Sequence, residues 1–158
     1  MSSQILQPTR GLEVINSNYA QIPFPQAMVS GACDFHHSDQ MRDASADFTE
    51  TGVSVGDIVY FTDITGNRMA ATVVELVDSN TLKLNDLIGD YLVAPCPYTI
   101  YSGSLNSGCI LYVGIPGALA GTTAAGSEII ITNAQGFIPI QMKVVRSDSS
   151  AAHIVAFW

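Results

Sequence analysis

The fold is decided near the end of the chain, in the stretch Gly136-Phe137-Ile138-Pro139-Ile140-Gln141-Met142-Lys143-Val144-Val145-Arg146. The even-numbered positions from Ile138 to Val144 are all apolar, whereas the odd-numbered positions from Pro139 to Lys143 include the polar residues. A period of two residues is typical of a β-strand that buries one face and exposes the other. This stretch therefore predicts a strand whose even-numbered side chains point into a core.

Further strands are predicted on both sides of this stretch. Residues 128–132 carry three consecutive isoleucines, and residues 133–136 have the composition of a turn, so this segment and the central stretch predict a β-hairpin. The polar run 147–150 then ends the pattern, and residues 153–158 form a final apolar strand. Burial of the aromatic rings at its end is worth roughly 2 kcal/mol or more each, so we expect this end to be packed.

A different pattern, short apolar runs separated by tight turns, extends from residue 46 to residue 101. The clearest example is a predicted hairpin that turns at residues 78–80 and returns with Leu82 and Leu84 inward and Lys83 outward. The run 69–77 is apolar on both alternate sets except at Thr72 and Glu75, which predicts a central strand covered on both faces. Turns repeated about every eight to twelve residues predict a small β-barrel or sandwich.

Residues 1–45 lack this periodicity and are rich in Ser, Gln, Asn and Pro. The prolines at positions 23 and 25 exclude a helix and favour an extended chain. A polar arm without a core of its own becomes ordered only by lying against something. We therefore predict that this arm packs on a neighbouring subunit or along the barrel that follows it.

The stretch 114–127 is rich in Gly, Ala and Thr and carries no charge, which predicts a loop. Such a loop is either a flexible spacer or a contact segment whose small residues let another backbone approach closely. The chain as a whole is therefore predicted to be all-β. We expect an extended N-terminal arm at 1–45, a small barrel-like block at about 46–101 and an antiparallel C-terminal block at about 102–158, with the two blocks packed as one unit.

The composition limits the classes of partner. Of the 158 residues, 47% are apolar and 13% are charged, which leaves few charges to cover the surface of a monomer. The net charge is −8 and the six basic residues are scattered singly, so we expect no direct binding of nucleic acid. No basic-then-apolar leader opens the sequence and no apolar run approaches ~18 residues, so we expect neither secretion by the usual signal nor a membrane span.

No pattern in the sequence predicts an active site, a cofactor or a metal. Cys33, Cys96 and Cys109 have spacings that fit neither a zinc site nor a disulfide framework, so we expect buried thiols. The polar cluster 33–39 contains adjacent histidines, which point apart in an extended chain, so a polar turn is favoured over the alternative of a metal site. There is no Gly-x-Ser-x-Gly elbow, and His153 lies inside a strand, so the chain is predicted not to be an enzyme.

Several phrases in the last third of the chain occur together: Cys109-Ile110-Leu111-Tyr112-Val113-Gly114, the strand 128–132, the stretch 136–146 and Ile154-Val155-Ala156-Phe157-Trp158. In this order they resemble small structural proteins of tailed bacteriophages, most of all the head-spike base proteins of phages and gene transfer agents. The barrel-like block, through residues 52–59 and 71–84, is also similar to modules common in phage structural proteins.

This resemblance implies a structural virion protein on the outer surface of a tailed-phage head, either a capsid cement (decoration) protein or a head-spike base, assembled in the host cytoplasm. The implied partners are the major capsid protein and further copies of the chain itself, as a trimer or a pentamer. Such a protein stabilises the shell by burying apolar β surfaces. An acidic chain also lies more favourably outside a DNA-filled shell than inside it.

Two alternatives stay open at this point: a structural protein of the neck or tail, and a carbohydrate-binding or host-receptor-binding module. Aromatic side chains stack on sugar rings, so the second alternative would use a face formed by Tyr60, Tyr91, Tyr98, Tyr101 and Tyr112.

The residues predicted to form assembly contacts share one property, which is that they are apolar and lie in segments without an evident core position. They are Ile22 and Phe24 in the arm, Leu119 in the predicted loop, and Phe157 and Trp158 at the end of the final strand.

Overall fold

A computed structural model describes residues 8–17, 20–104 and 108–158. Within these ranges the chain contains no α-helix, only β-strands and one short 3₁₀ helix at Ile88–Asp90. The strands, numbered in chain order, are β1 (Gly11–Glu13), β2 (Ala27–His37), β3 (Gln40–Arg42), β4 (Ile58–Thr62), β5 (Arg68–Asp78), β6 (Thr81–Leu84), β7 (Cys96–Tyr101), β8 (Cys109–Thr123), β9 (Glu128–Val145) and β10 (Ala152–Phe157). The all-β prediction is confirmed.

Six strands close into a barrel in the order β2-β3-β6-β5-β4-β7, with every neighbouring pair antiparallel. The hairpin predicted around residues 78–80 is present between β5 and β6, and the Asp78 carboxylate accepts a hydrogen bond from the Asn80 amide at 2.9 Å. The barrel is filled by large side chains with no exposed surface, among them Met41, Phe48, Phe61, Leu82 and Ile100. The predicted cover on both faces of β5 holds only for its first half: Ala70 and Ala71 are buried in different core clusters, whereas Val74 and Val77 in the second half are exposed.

The barrel begins earlier in the chain than the predicted boundary at residue 46. β2 and β3 lie inside the segment expected to be an extended arm, and they supply two of the six barrel strands. The alternation in β2 is weak because its inward positions include Gly31 and Cys33, which carry little apolar surface. A Cβ at Gly31 would collide with the side chains of Asp43 and Tyr98, so the barrel requires a residue here that periodicity cannot detect.

Polar groups inside the barrel are satisfied locally. The buried Asp43 carboxylate accepts hydrogen bonds from the Tyr98 hydroxyl at 2.7 Å and from the Ser45 amide at 2.9 Å. Burial alone would raise the pKa of Asp43, but the bonds from Ser45 and Tyr98 outweigh it and hold the pKa below its ordinary value. Asp63 organises a turn in the same way, and the Thr65 hydroxyl with nearby backbone amides lowers the pKa of Asp63 to about 2.

The remainder of the predicted arm joins the barrel to the C-terminal sheet of the same chain. β1 pairs with β10, and the Ser17 amide donates to the Val145 carbonyl at 3.0 Å while its hydroxyl donates to the Ala70 carbonyl at 3.1 Å. Ile22 is buried in the C-terminal core, whereas Ala20 packs against the barrel. The described part of the arm therefore lies on its own subunit; residues 1–7 and 18–19 are outside the described ranges.

The C-terminal sheet has the order β1-β10-β8-β9. Residue numbers in β9 fall as those in β8 rise, from the pair Leu111–Ile138 to the pair Thr122–Glu128, so these strands run antiparallel as one long hairpin. The predicted hairpin between 128–132 and 136–146 was wrong, because both segments belong to β9 and both pair with β8. The turn-like composition at 133–136 instead marks irregular pairing, with Gly136 at φ 65°.

Bulges in β9 shift the side-chain alternation along the strand. Between the pairs Leu119–Ile131 and Gly117–Ala134, β9 has one residue more than β8, so the inward positions change from odd to even numbers. A second irregularity lies between Ile138 and Met142, which are both buried, and it leaves Ile140 38% exposed instead of inward as predicted. A strict period of two therefore holds only for part of the strand.

The stretch 114–127 is not a loop: strand β8 continues to Thr123, and only a tight turn follows it. Its end curls back onto the last residues of β9, with the pairs Gly121–Val145 and Thr122–Val144. A Cβ at Gly121 would collide with the carbonyl oxygen of Val144. Of the two alternatives, a flexible spacer and a contact segment, the second is closer to the structure, since the small residues allow a close backbone approach. The approaching backbone, however, belongs to the same chain.

Candidate assembly surface

The side of the C-terminal sheet that points away from its core carries a continuous set of apolar side chains. Alternation along the strands places them there, because their neighbours in sequence, such as Leu111, Val113, Ile138 and Ile154, are buried. We call this set the outer apolar face; it consists of Ile110 and Tyr112 from β8, Phe137 and Pro139 from β9, and Val155 and Phe157 from β10.

Cross-strand pairing holds the outer apolar face together. Tyr112 lies opposite both Phe137 and Val155, and Ile110 lies opposite Phe157. The ring centroids of Tyr112 and Phe137 are 5.1 Å apart in an edge-to-face arrangement, and those of Phe137 and Phe157 are 6.1 Å apart. Such aromatic pairs fix ring orientations before any partner binds. The face is therefore built in advance rather than assembled on contact.

The outer apolar face is exposed although it is large and aromatic. Phe137 is 64% exposed and Tyr112 is 40% exposed. An open hollow of about 300 Å³ is lined by Pro8, Ile110, Phe137, Pro139 and Phe157. Contiguous apolar surface of this kind on a soluble chain marks a site of contact with a protein or another apolar surface.

None of the six residues of the outer apolar face carries a formal charge, although the chain has a net charge of −8. The nearest strand, β1, contributes Glu13, which is engaged by Arg68 at 2.8 Å. An uncharged area on an acidic chain lowers the electrostatic and desolvation costs of contact, since no carboxylate has to leave water. The face is thus suited to burial against a surface of similar character.

The residues predicted to form assembly contacts are placed very differently by the structure. Phe157 belongs to the outer apolar face, whereas Trp158 packs against the C-terminal core and lies edge-on to Phe24 with ring centroids 6.1 Å apart. Ile22 and Leu119, in contrast, are buried in the C-terminal core of their own subunit and have no surface with which to contact another one. The sequence did not predict the burial of these two residues, because neither segment shows a regular alternation of apolar and polar side chains.

Phe137, Tyr112 and Ile110 were not among the residues predicted for assembly. Tyr112 and Ile110 alternate with the buried Leu111 and Val113, so the period of two in β8 was the signal that placed them on the opposite side. Phe137 alternates in the same way with Ile138. The sequence does not show which side of a sheet stays uncovered, since that depends on what the rest of the chain packs against.

The five tyrosines proposed as a sugar-binding platform do not share one face. Tyr98 is buried in the barrel, Tyr60 and Tyr101 contact each other with centroids 5.4 Å apart beside β1, and Tyr112 lies on the C-terminal sheet. Tyr91 is exposed after the 3₁₀ helix. Their arrangement gives no common stacking surface for a glycan.

The polar cluster at residues 33–39 differs from its prediction in one respect. A register shift between Phe35 and His37 places the rings of His36 and His37 4.7 Å apart, although they were expected to point apart. They line an open cleft of about 500 Å³ with Arg42 and Asp78. Within the described ranges no group of three or more His, Cys, Asp or Glu side chains is placed to hold a metal ion.

All three cysteines are buried free thiols, as predicted. Cys33 and Cys96 lie directly opposite each other on β2 and β7 inside the barrel. Burial raises the pKa of Cys96 to about 11 and that of Cys109 to about 12. A thiol that stays protonated is a poor nucleophile, so these side chains act as core residues.

Comparison of the chain with protein-family models, with curated proteins and with solved structures finds no match. No helix in the part of the chain that the structure describes has the length and apolar character needed to cross a membrane.

Proposed function

We propose that this chain is a structural protein of a tailed-phage virion, mounted on the outside of the head as a cement (decoration) protein or a head-spike base. The observation that carries the proposal is the outer apolar face: a preformed, uncharged and largely aromatic area that is exposed on the isolated subunit. A surface of this kind is built for permanent contact rather than for turnover of a small molecule.

In this proposal the mechanism is mechanical. The outer apolar face docks on the major capsid protein, and copies of the chain contact one another around it. Interfaces of this type gain most of their stability from a few central aromatic residues, which here are Phe137, Tyr112 and Phe157. Each docked copy adds a contact that must be broken before the shell opens, so the shell resists internal pressure better.

The acidic and sparsely charged surface agrees with this position. With a net charge of −8 and isolated basic residues, the chain has little to attract packaged DNA, and it is repelled by it. The phage-like phrases of the last third of the chain coincide with β8, β9 and β10, the strands that carry the outer apolar face. The resemblance and the candidate surface therefore involve the same residues.

The test is the copy number of this chain in purified particles, relative to the major capsid protein. A ratio near one copy per capsid subunit supports a cement protein, and about five copies per vertex support a spike base. Roughly a dozen copies or fewer per particle would move the protein to the neck or tail. Absence from purified particles would refute the virion proposal and make glycan binding the next property to measure.

A further inference from the structure

A second feature of the C-terminal sheet is independent of the outer apolar face: an open strand edge. The barrel is closed and has no edge, and the sheet edge at β1 is only three residues long and is held by the Arg68–Glu13 ion pair. At the other edge, residues 128–132 of β9 pair with β8 on one side and with no described strand on the other. This edge is longer than the one at β1, and none of the described strands pairs with its outer side.

The hydrogen bonds of the hairpin show which backbone groups point outward. Ala120 lies opposite Ile130, but its carbonyl accepts from the backbone N–H of Arg146 at 2.9 Å, on the side away from residues 128–132. In an antiparallel pair, residues opposite each other either exchange both bonds or exchange none, so Ile130 also turns its N–H and C=O away from β8. The same alternation turns the backbone groups of Glu128 and Thr132 outward.

The edge at residues 128–132 has few of the devices that normally prevent strand pairing: its one charged residue, Glu128, lies at the end of the segment and forms an ion pair with Arg146 at 3.3 Å. The segment contains no proline and no lysine, and its central residue, Ile130, is 64% exposed. Natural sheets block long free edges with such residues or with bulges that twist the edge away. The bulge of β9 near residue 133 follows this segment rather than interrupting it. The segment is therefore a ready template for another strand.

We propose that the occupant of this edge is the same edge of a second copy of the chain, paired antiparallel about a two-fold axis that passes midway between the two Ile130 residues. In this register the outward groups of Glu128, Ile130 and Thr132 face Thr132, Ile130 and Glu128 of the other copy, which gives about six backbone hydrogen bonds. Each Glu128 then lies opposite a threonine instead of another carboxylate. An acidic chain thus pairs with itself here without placing like charges face to face.

This contact differs in symmetry from the trimer or pentamer implied by the sequence, because pairing of identical edges closes after two copies. The contact leaves the outer apolar face free. Ile130 lies near the turn between β8 and β9, whereas Tyr112 and Phe137 of the face lie farther from that turn along the same two strands. Dimerisation and docking on a particle therefore use different residues. The proposed dimer can therefore be tested independently of the proposed location in a virion.

The first experiment measures the mass of the purified full chain by sedimentation velocity over a range of concentrations. We expect a dimer, and we expect Ile130→Lys to raise its dissociation constant at least about tenfold, since two lysines would then face each other across the axis. Gln135→Lys is the matched control: it adds the same charge at an exposed position of the same strand, beyond the paired segment, and is expected to leave the dimer intact.

A second experiment tests the register. Directly opposed, hydrogen-bonded residues in antiparallel strands have Cα atoms about 5.5 Å apart, which is within reach of a disulfide. Ile130→Cys should therefore give a covalent dimer on mild oxidation, whereas Gln135→Cys should not. A monomer at all concentrations, a trimer or pentamer, an Ile130→Lys variant that assembles like the native chain, or an Ile130→Cys variant that fails to cross-link would each refute the proposed contact.

Discussion

Truncation of Phe137 to alanine tests the outer apolar face most directly. The side chain is 64% exposed in the isolated subunit. An aromatic residue buries about 150–250 Å² when fully enclosed, so docking would remove roughly 130 Å² of Phe137 from water. At about 25 cal/mol per Å² this corresponds to about 3 kcal/mol, of which alanine retains a small part. We expect Phe137→Ala to weaken docking by about 2–3 kcal/mol, or roughly 30- to 150-fold in affinity.

The assay adds purified protein back to particles that lack it and measures the bound fraction against the free concentration. The matched control is Ile64→Ala, which truncates an apolar side chain that is 73% exposed on the barrel, between β4 and β5 and outside the outer apolar face. We expect this control to bind like the native chain. The melting temperature of Phe137→Ala should fall only slightly, because the side chain contributes mainly its contacts with Tyr112 and Phe157.

An affinity of Phe137→Ala within about threefold of the native value would refute the reasoning, since the most exposed ring of the face would then not be buried on docking. A similar loss in both variants would also refute it, because the effect would belong to general surface hydrophobicity. A loss in Phe137→Ala alone assigns the contact to the outer apolar face.

Three further predictions concern stability. Tyr98→Phe removes the hydrogen bond to the buried Asp43 carboxylate and should lower the free energy of unfolding by about 1.5–3 kcal/mol, measured by urea denaturation at pH 7. The pKa of Asp63 lies at about 2, below its ordinary value, so its stabilising contribution is present above about pH 4 and is lost as the pH falls towards 2. Asp63→Asn should therefore be less stable at pH 7 and should lose less stability between pH 4 and pH 2 than the native chain. Gly121→Ala places a Cβ against the Val144 carbonyl and should destabilise the chain by about 1–3 kcal/mol or more, which thermal melting checks.

Local alternation predicted the strands well where pairing is regular. The hairpin between β5 and β6 followed from Leu82 and Leu84 alternating with Lys83, and the burial of Ile138 and Met142 followed from their spacing. The same rule failed at Ile140, because a bulge changes the phase of a strand without leaving a distinctive residue. Periodicity can be read from one strand alone, whereas a bulge depends on how that strand pairs with its neighbour.

The segments taken for an arm and a loop show a second limit. β2 and the end of β8 are strands in which glycine and other small residues occupy the crowded positions, so their sequences resemble connections. Ile22 and Leu119 were assigned to an interface because their segments show no evident core position, and both are buried in their own subunit. Small residues indicate close approach of a backbone, but the sequence does not say whether that backbone belongs to the same chain.

The sequence by itself determined that the chain is all-β, that it does not offer a basic surface, and that its last strands each have one apolar side for a core, because composition and period-two patterning act residue by residue. The tertiary structure alone decided which apolar side stays uncovered and which strand edge stays open. Both depend on long-range contacts. Closure of the barrel leaves it without edges, and the C-terminal core covers one side of its sheet, so Phe137 and Tyr112 stay exposed on the other. Pairing of the end of β8 with both ends of β9 leaves Ile130 at an unpaired edge of the described sheet.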